Sequence, residues 1–117
     1  MKIGCVKEIK PQEYRVGMTP DNVSDFTAHS HTVMIETGAG KGSGFSDAAY
    51  QAAGALIVPT AEAVWAQCDM IIKVKEPLPD EYPYLREGQI VYTYLHLAAN
   101  KPLTEAMVQS GCIGVAY

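Results

Sequence analysis

The chain has 117 residues, 48% of them hydrophobic and 19% charged, and a formal net charge of −4. Those values describe one ordinary globular domain, and an acidic balance without a basic cluster speaks against a nucleic-acid partner. No apolar run approaches the roughly 18 residues a membrane helix needs.

The opening segment, Met1 to Glu8, lacks the apolar core and small-residue cleavage site of a secretory signal. Cys5, Cys68 and Cys112 are odd in number and form no C-x-x-C pair. They read as reduced, buried thiols, and the expected location is the cytoplasm.

Residues 2–7 predict a first strand, with Ile3, Cys5 and Lys7 on one face by the period of two. A loop with Pro11 and Arg15 follows. Thr19-Pro20 is a helix start, a hydroxyl at the N-cap before proline at the first helical position. Val23 and Phe26 give that helix its apolar stripe. Thr32 to Glu36 is a β-branched strand, closed by the glycine-rich run from Thr37 to Gly44. Ser46 caps a second helix that Gly54 ends as a left-handed C-cap. Residues 55–58 are a third strand, and Thr60 opens a helix carrying Val64 and Trp65. Met70 to Val74 is the next strand, which Pro77 and Pro79 halt. A short helix spans 80–86, then come a strand over 89–94, a helix over 102–110 stopped by Gly111, and a strand over 112–116.

Strands alternating with short helices predict an α/β fold, an open and mainly parallel sheet with helical crossovers, over one domain of residues 1–117. The strand order is not contained in this pattern. A last strand that runs into Tyr117 without a covering helix reads as an incomplete domain, a fragment of a longer chain.

The glycine run invites a nucleotide reading and fails it. G-x-G-x-x-G would need glycine at 43, where Ser43 stands, and the phosphate-loop spacing before Lys41 is absent. The run is expected to be a tight loop. His29 and His31 have no third ligand nearby, so they read as surface residues and no metal is expected. Tyr82, Tyr84, Tyr92 and Tyr94 lack the interleaved basic residues of a base-stacking surface and belong to core and rim.

Arg15, Lys75 and His96 remain. Each follows a strand, so in a parallel sheet all three meet at its carboxyl edge, where open α/β sheets bind ligands. Arginine's fork matches a carboxylate. A lysine ammonium stabilises charge on a carbonyl oxygen, and histidine carries protons near neutral pH. Plain alternatives stay open: Arg15 as a solvated charge beside Glu13, Lys75 paired with Glu76, His96 as a strand-end residue.

Longer motifs add a resemblance. Met1-Lys2-Ile3-Gly4 with Lys7-Glu8-Ile9-Lys10, Glu13-Tyr14-Arg15-Val16 and Thr19-Pro20 form one block. Glu36 to Gly40 with Gly42 to Phe45 form a second, Lys73 to Pro79 a third and Tyr92 to Ala98 a fourth. Over essentially the whole chain these resemble the alanine dehydrogenase and pyridine nucleotide transhydrogenase family, and specifically the N-terminal part of the alanine dehydrogenases.

The resemblance implies a Rossmann-like substrate domain and reversible, NAD-dependent oxidative deamination of L-alanine to pyruvate and ammonia. It implies that Arg15 binds the substrate carboxylate, that Lys75 serves the carboxylate or carbonyl region in binding and catalysis, and that His96 is the acid/base at the imine and carbinolamine steps. NAD and a catalytic aspartate would belong to a dinucleotide-binding domain outside these residues, and the assembly would be a homohexamer. Ser30 departs from the glycine usual in relatives. Two rival readings are the N-terminal domain of a proton-translocating transhydrogenase α-subunit and a non-catalytic small-carboxylate binding module, the latter if the native chain ends at Tyr117.

Overall fold

A computed structural model describes residues 1–117. The chain runs β1 (Lys2–Cys5), α1 (Pro20–Ala28), β2 (Thr32–Glu36), α2 (Asp47–Ala52), β3 (Leu56–Val58), α3 (Ala61–Gln67), β4 (Met70–Ile72), β5 (Ile90–Thr93), α4 (Lys101–Ser110) and β6 (Ile113–Ala116). Short 3₁₀ turns occupy Lys41–Ser43, Pro79–Tyr84 and Leu97–Ala99.

All six strands pair in parallel, in the order β3-β2-β1-β4-β5-β6. The order reverses between β1 and β4. This is a doubly wound sheet, and its switch point lies where those two strands separate at their carboxyl ends.

Alternation sends the two faces of the sheet into two cores. Ile3, Cys5, Val33, Ile35 and Ile72 face Val23 of α1 and Tyr50 of α2. Met34, Ile71 and Val91 face Val64 and Trp65 of α3 and Leu103 of α4. Tyr50 is wholly enclosed and donates its hydroxyl to the Met18 carbonyl at 2.7 Å, which ties α2 to the end of the β1–α1 loop. Cys5 and Cys68 are buried and Cys112 is half-buried, all as free thiols.

The helix caps follow the sequence. Thr19 and Asn22 exchange hydrogen bonds at 3.0 and 3.3 Å, a reciprocal cap that sets where the β1–α1 loop ends. Gly54 and Gly111 take φ of 104° and 70°. Ser30 adopts φ 65°, a left-handed position that glycine accepts more readily.

Three expected elements differ. The first strand stops at Cys5, because beyond it the Lys7 N–H turns to the Glu36 carboxylate at 2.7 Å instead of a strand. Lys7 is exposed and does not share the Ile3 face. The fourth strand stops at Ile72, because the Val74 N–H goes to Glu8 at 2.6 Å. The segment expected as a helix over 80–86 is a 3₁₀ turn over Pro79–Tyr84, with Pro83 inside it, since proline removes an amide donor and crowds the preceding turn.

Candidate functional site at the sheet's switch point

Three loops meet above the separation of β1 and β4: Val6 to Thr19 after β1, Lys73 to Leu78 after β4, and Tyr94 to His96 after β5. Their anchor is a buried charge cluster. Lys73 is fully enclosed, with its ammonium 3.1 Å from Glu8 Oε2 and 3.0 Å from Glu81 Oε1. Burial works against the lysine charge, yet the two carboxylates outweigh it and its pKa is raised.

Glu8 does more than neutralise Lys73. Its Oε1 accepts the N–H of Val74 at 2.6 Å and that of Lys75 at 3.3 Å. Glu81 Oε2 accepts the Leu78 N–H at 2.9 Å. The backbone on both sides of Lys75 therefore hangs from two buried carboxylates.

Arg15 stands at the rim of a groove of about 530 Å³ whose lining includes Lys7, Lys10 and Lys41 together with Glu8 and Glu13. It also borders a second groove, of about 320 Å³, lined by Val74, Phe45, Tyr94 and Tyr117. Its guanidinium is held in a fork by Glu13, Nε at 3.0 Å and Nη2 at 2.6 Å. Those hydrogen bonds push the Glu13 carboxyl down from 4.5 to about 2, and Lys75 adds to the effect. Glu13 is thus a point where the fields of Arg15 and Lys75 meet.

The glycine-rich run is a clamp on the arginine loop. A Cβ on Gly42 would lie 2.7 Å from the Tyr14 carbonyl, and Ser43 Oγ donates to that same carbonyl at 2.9 Å. On the other side, a Cβ on Gly17 would lie 2.8 Å from the Ile72 carbonyl. The run does not fit a pyrophosphate. The carboxylate of Asp47 already accepts the Gly38 N–H at 2.9 Å and the Thr37 hydroxyl at 2.6 Å, which puts a fixed negative charge where a phosphate would need donors.

His96 lies three residues past the end of β5. It takes φ 53° and leads into the Leu97–Ala99 turn. Its Nδ1 is 3.1 Å from Glu76 Oε2, and its ring stacks against Tyr94 with centroids 6.3 Å apart. A non-glycine residue in the left-handed region is a strained position, and such positions concentrate at functional sites.

Arg15, Lys75 and His96 therefore share the carboxyl edge of the sheet, on three different loops. Arg15 borders both grooves, whereas Lys75 and His96 line neither of them. Lys75 does not pair with Glu76, whose carboxylate is divided between Lys10 and His96. The plain reading of Arg15 is present in the geometry, as a pair with Glu13, although not as a merely solvated charge.

Glu8, Lys73, Glu81, Glu76 and Lys10 were not among the sequence candidates. One of them carried a signal: Lys73 interrupts the apolar run Met70-Ile71-Ile72, and a lysine inside a buried strand run implies buried carboxylate partners. His29 is exposed and His31 half-buried, and His31 Nδ1 contacts the chain's amino terminus at 3.0 Å. No group of three or more His, Cys, Asp or Glu residues is arranged to hold a metal, and no helix is long and apolar enough to cross a membrane.

A doubly wound parallel sheet with arginine, lysine and histidine over its switch point defines a Rossmann-like α/β domain. Residues 4–117 match the family model described as alanine dehydrogenase/PNT, N-terminal domain. An alanine dehydrogenase of Mycolicibacterium smegmatis is 50% identical over all of this chain, which covers 32% of that protein. A solved L-alanine dehydrogenase superposes with a TM-score of 0.97 at 50% identity, over 100% of this chain and 32% of its own. A transhydrogenase from Sinorhizobium meliloti superposes at 0.91 with 29% identity, over 99% and 34%. The chain belongs to the alanine dehydrogenase/PNT family and corresponds to its N-terminal domain. It spans about a third of the length of the relatives it matches.

Proposed function

We propose that this chain is the substrate side of an NAD-dependent alanine dehydrogenase, which converts L-alanine reversibly to pyruvate and ammonia. The observation that carries the reading is the gathering of Arg15, Lys75 and His96 on the three loops over the switch point, in a chain 50% identical to alanine dehydrogenases. The transhydrogenase reading shares the fold but has the lower identity, 29%.

In this reading the guanidinium of Arg15 exchanges Glu13 for the substrate carboxylate, and Lys75 holds the carbonyl oxygen or the second carboxylate oxygen. The chemistry that NAD would supply is acceptance of a hydride, with the nucleotide held by residues outside this chain. The roles assigned here are binding and proton transfer.

Water adds to the carbon of the protonated imine and gives a proton to His96, leaving the neutral carbinolamine. His96 passes that proton to the amine nitrogen. Ammonia then departs as the carbonyl forms, and the hydroxyl proton returns to the imidazole. Pyruvate and ammonia are the products, with one proton left on His96.

The enzyme is proposed to act in the cytoplasm as a homohexamer, an assembly suggested by family resemblance that sedimentation of the full-length protein would test. The deciding experiment is NADH oxidation by the full-length protein with pyruvate and ammonium supplied or withheld. Strict dependence on both is expected. Oxidation that ignores both and instead follows a second nucleotide would favour the transhydrogenase. Pyruvate binding without turnover would favour a binding module.

A further inference from the structure

The carboxylate of Glu76 is divided between two cationic groups. Oε1 lies 2.5 Å from Lys10 Nζ and Oε2 lies 3.1 Å from His96 Nδ1. The Glu76 side chain is only 7% exposed, whereas the imidazole is 52% exposed. One nitrogen of the ring is thus held against a nearly buried anion while much of the ring faces solvent.

Burial opposes the charge on Glu76, but the hydrogen bonds from Lys10 and His96 outweigh it, and its pKa falls below the ordinary value. An ionised carboxylate only accepts, so the short contact requires the proton on Nδ1. Nε2 is then the nitrogen left with a free lone pair to accept a proton. Lys10 comes from the β1 loop and Glu76 from the β4 loop, so this arrangement draws on three loops of the site. The charged and titratable groups around the ring are Glu76 and the stacked phenol of Tyr94, with Lys10 on the far oxygen of Glu76.

We infer that Glu76 is a positioning residue for His96, fixing its tautomer and ring orientation so that Nε2 serves the substrate, with Lys10 holding Glu76 in place. The inference rests on the reading of His96 as the proton carrier. It gives Lys10 and Glu76 opposite effects on the imidazole. Without the Glu76 charge the imidazolium loses its partner. Without Lys10 the imidazolium has the carboxylate to itself and is no longer repelled by a nearby ammonium.

The test uses the full-length protein and two readouts. The first is the rate of carbethoxylation of His96 by diethyl pyrocarbonate across pH, quantified on its peptide by mass spectrometry. Only the neutral ring reacts, so the profile gives the imidazole midpoint without requiring activity. The second is steady-state kinetics with pyruvate and ammonium.

In Glu76→Gln the midpoint should move to lower pH, and kcat should fall about 10- to 100-fold while the KM for pyruvate stays within about twofold. In Lys10→Met the midpoint should move to higher pH. Shifts in the same direction, or none, overturn the inference. If Glu76→Gln does not fold, Lys10→Met decides alone by the sign of its shift. His96→Ala separates the two levels: an inactive His96→Ala beside unshifted variants overturns only the positioning role, and near-normal turnover in His96→Ala overturns the proton role and this inference together.

Discussion

Glu8 Oε1 accepts the backbone N–H of Val74 at 2.6 Å, across 66 residues of sequence. Through this bond the loop after β1 carries the loop after β4, and with it Lys75. Lys73, gripped by Glu8 and Glu81, is the counter-charge that makes two enclosed carboxylates tolerable.

Lys73→Met should therefore destabilise the fold by about 3–5 kcal/mol, the usual cost of stranding a buried charge. Urea unfolding, compared with wild type at neutral pH, measures it. The raised lysine pKa sets the alkaline behaviour. This contribution is fully present below the ordinary lysine value of 10.5 and is lost as pH rises through the higher folded value.

Arg15 is occupied by Glu13 before any substrate arrives. Arg15→Ala should weaken pyruvate binding roughly 10- to 100-fold, since it removes charge-assisted hydrogen bonds to the carboxylate. Glu13→Gln should have the opposite sign and tighten binding about two- to fivefold, the worth of a competing ion pair whose arginine is solvated. Pyruvate titration of both variants by calorimetry tests the pair. Glu13 is held down to about 2, so the contribution of the pair is present above 4.5 and fades as pH falls through 2. Pyruvate affinity should consequently show no step from Glu13 between pH 5 and 9.

His96→Ala should lower kcat about 10²- to 10⁴-fold, the range supplied by a positioned acid or base, while pyruvate still binds. Lys75→Ala should raise the KM for pyruvate and lower kcat together, because charge on the carbonyl oxygen grows toward the transition state. Steady-state kinetics with both substrates varied distinguishes these patterns.

Burial pushes the Cys5 thiol up to about 12 and the Cys68 thiol up to about 11. Since the thiolate is the reactive form, both should resist a thiol reagent at pH 8 in the folded protein. Cys112, half-buried, should react first. Of Cys5, Cys68 and Cys112, only Cys112 should be labelled natively and all three in denaturant, read on their peptides by mass spectrometry.

Much of the element order was legible because its signals are local. Thr19-Pro20, Ser46 and Thr60 mark helix starts through side chains that cap amides within three residues. Gly54 and Gly111 mark helix ends through their backbone freedom. The boundaries that slipped did so for tertiary reasons: β1 and β4 end early because Glu36 and Glu8, distant in sequence, capture the amides of Lys7 and Val74, two residues past each strand.

The same division holds for the candidate site. Arg15, Lys75 and His96 stand out in the sequence because each follows a strand, and a parallel sheet sends the ends of its strands to one edge. Which carboxylate holds which cation is not written there. Glu76 adjoins Lys75 yet binds Lys10 and His96, which come from two other loops.

By itself, the sequence determined the alternation of strands and helices, the parallel α/β class and the residues that reach the carboxyl edge, all consequences of short-range periodicity and capping. The tertiary structure decided the strand order, the switch point between β1 and β4, and the buried Glu8–Lys73–Glu81 cluster. Those depend on contacts between segments up to 67 residues apart, such as Ile3 and Met70, and their partners are chosen only when the whole sheet closes around its two cores.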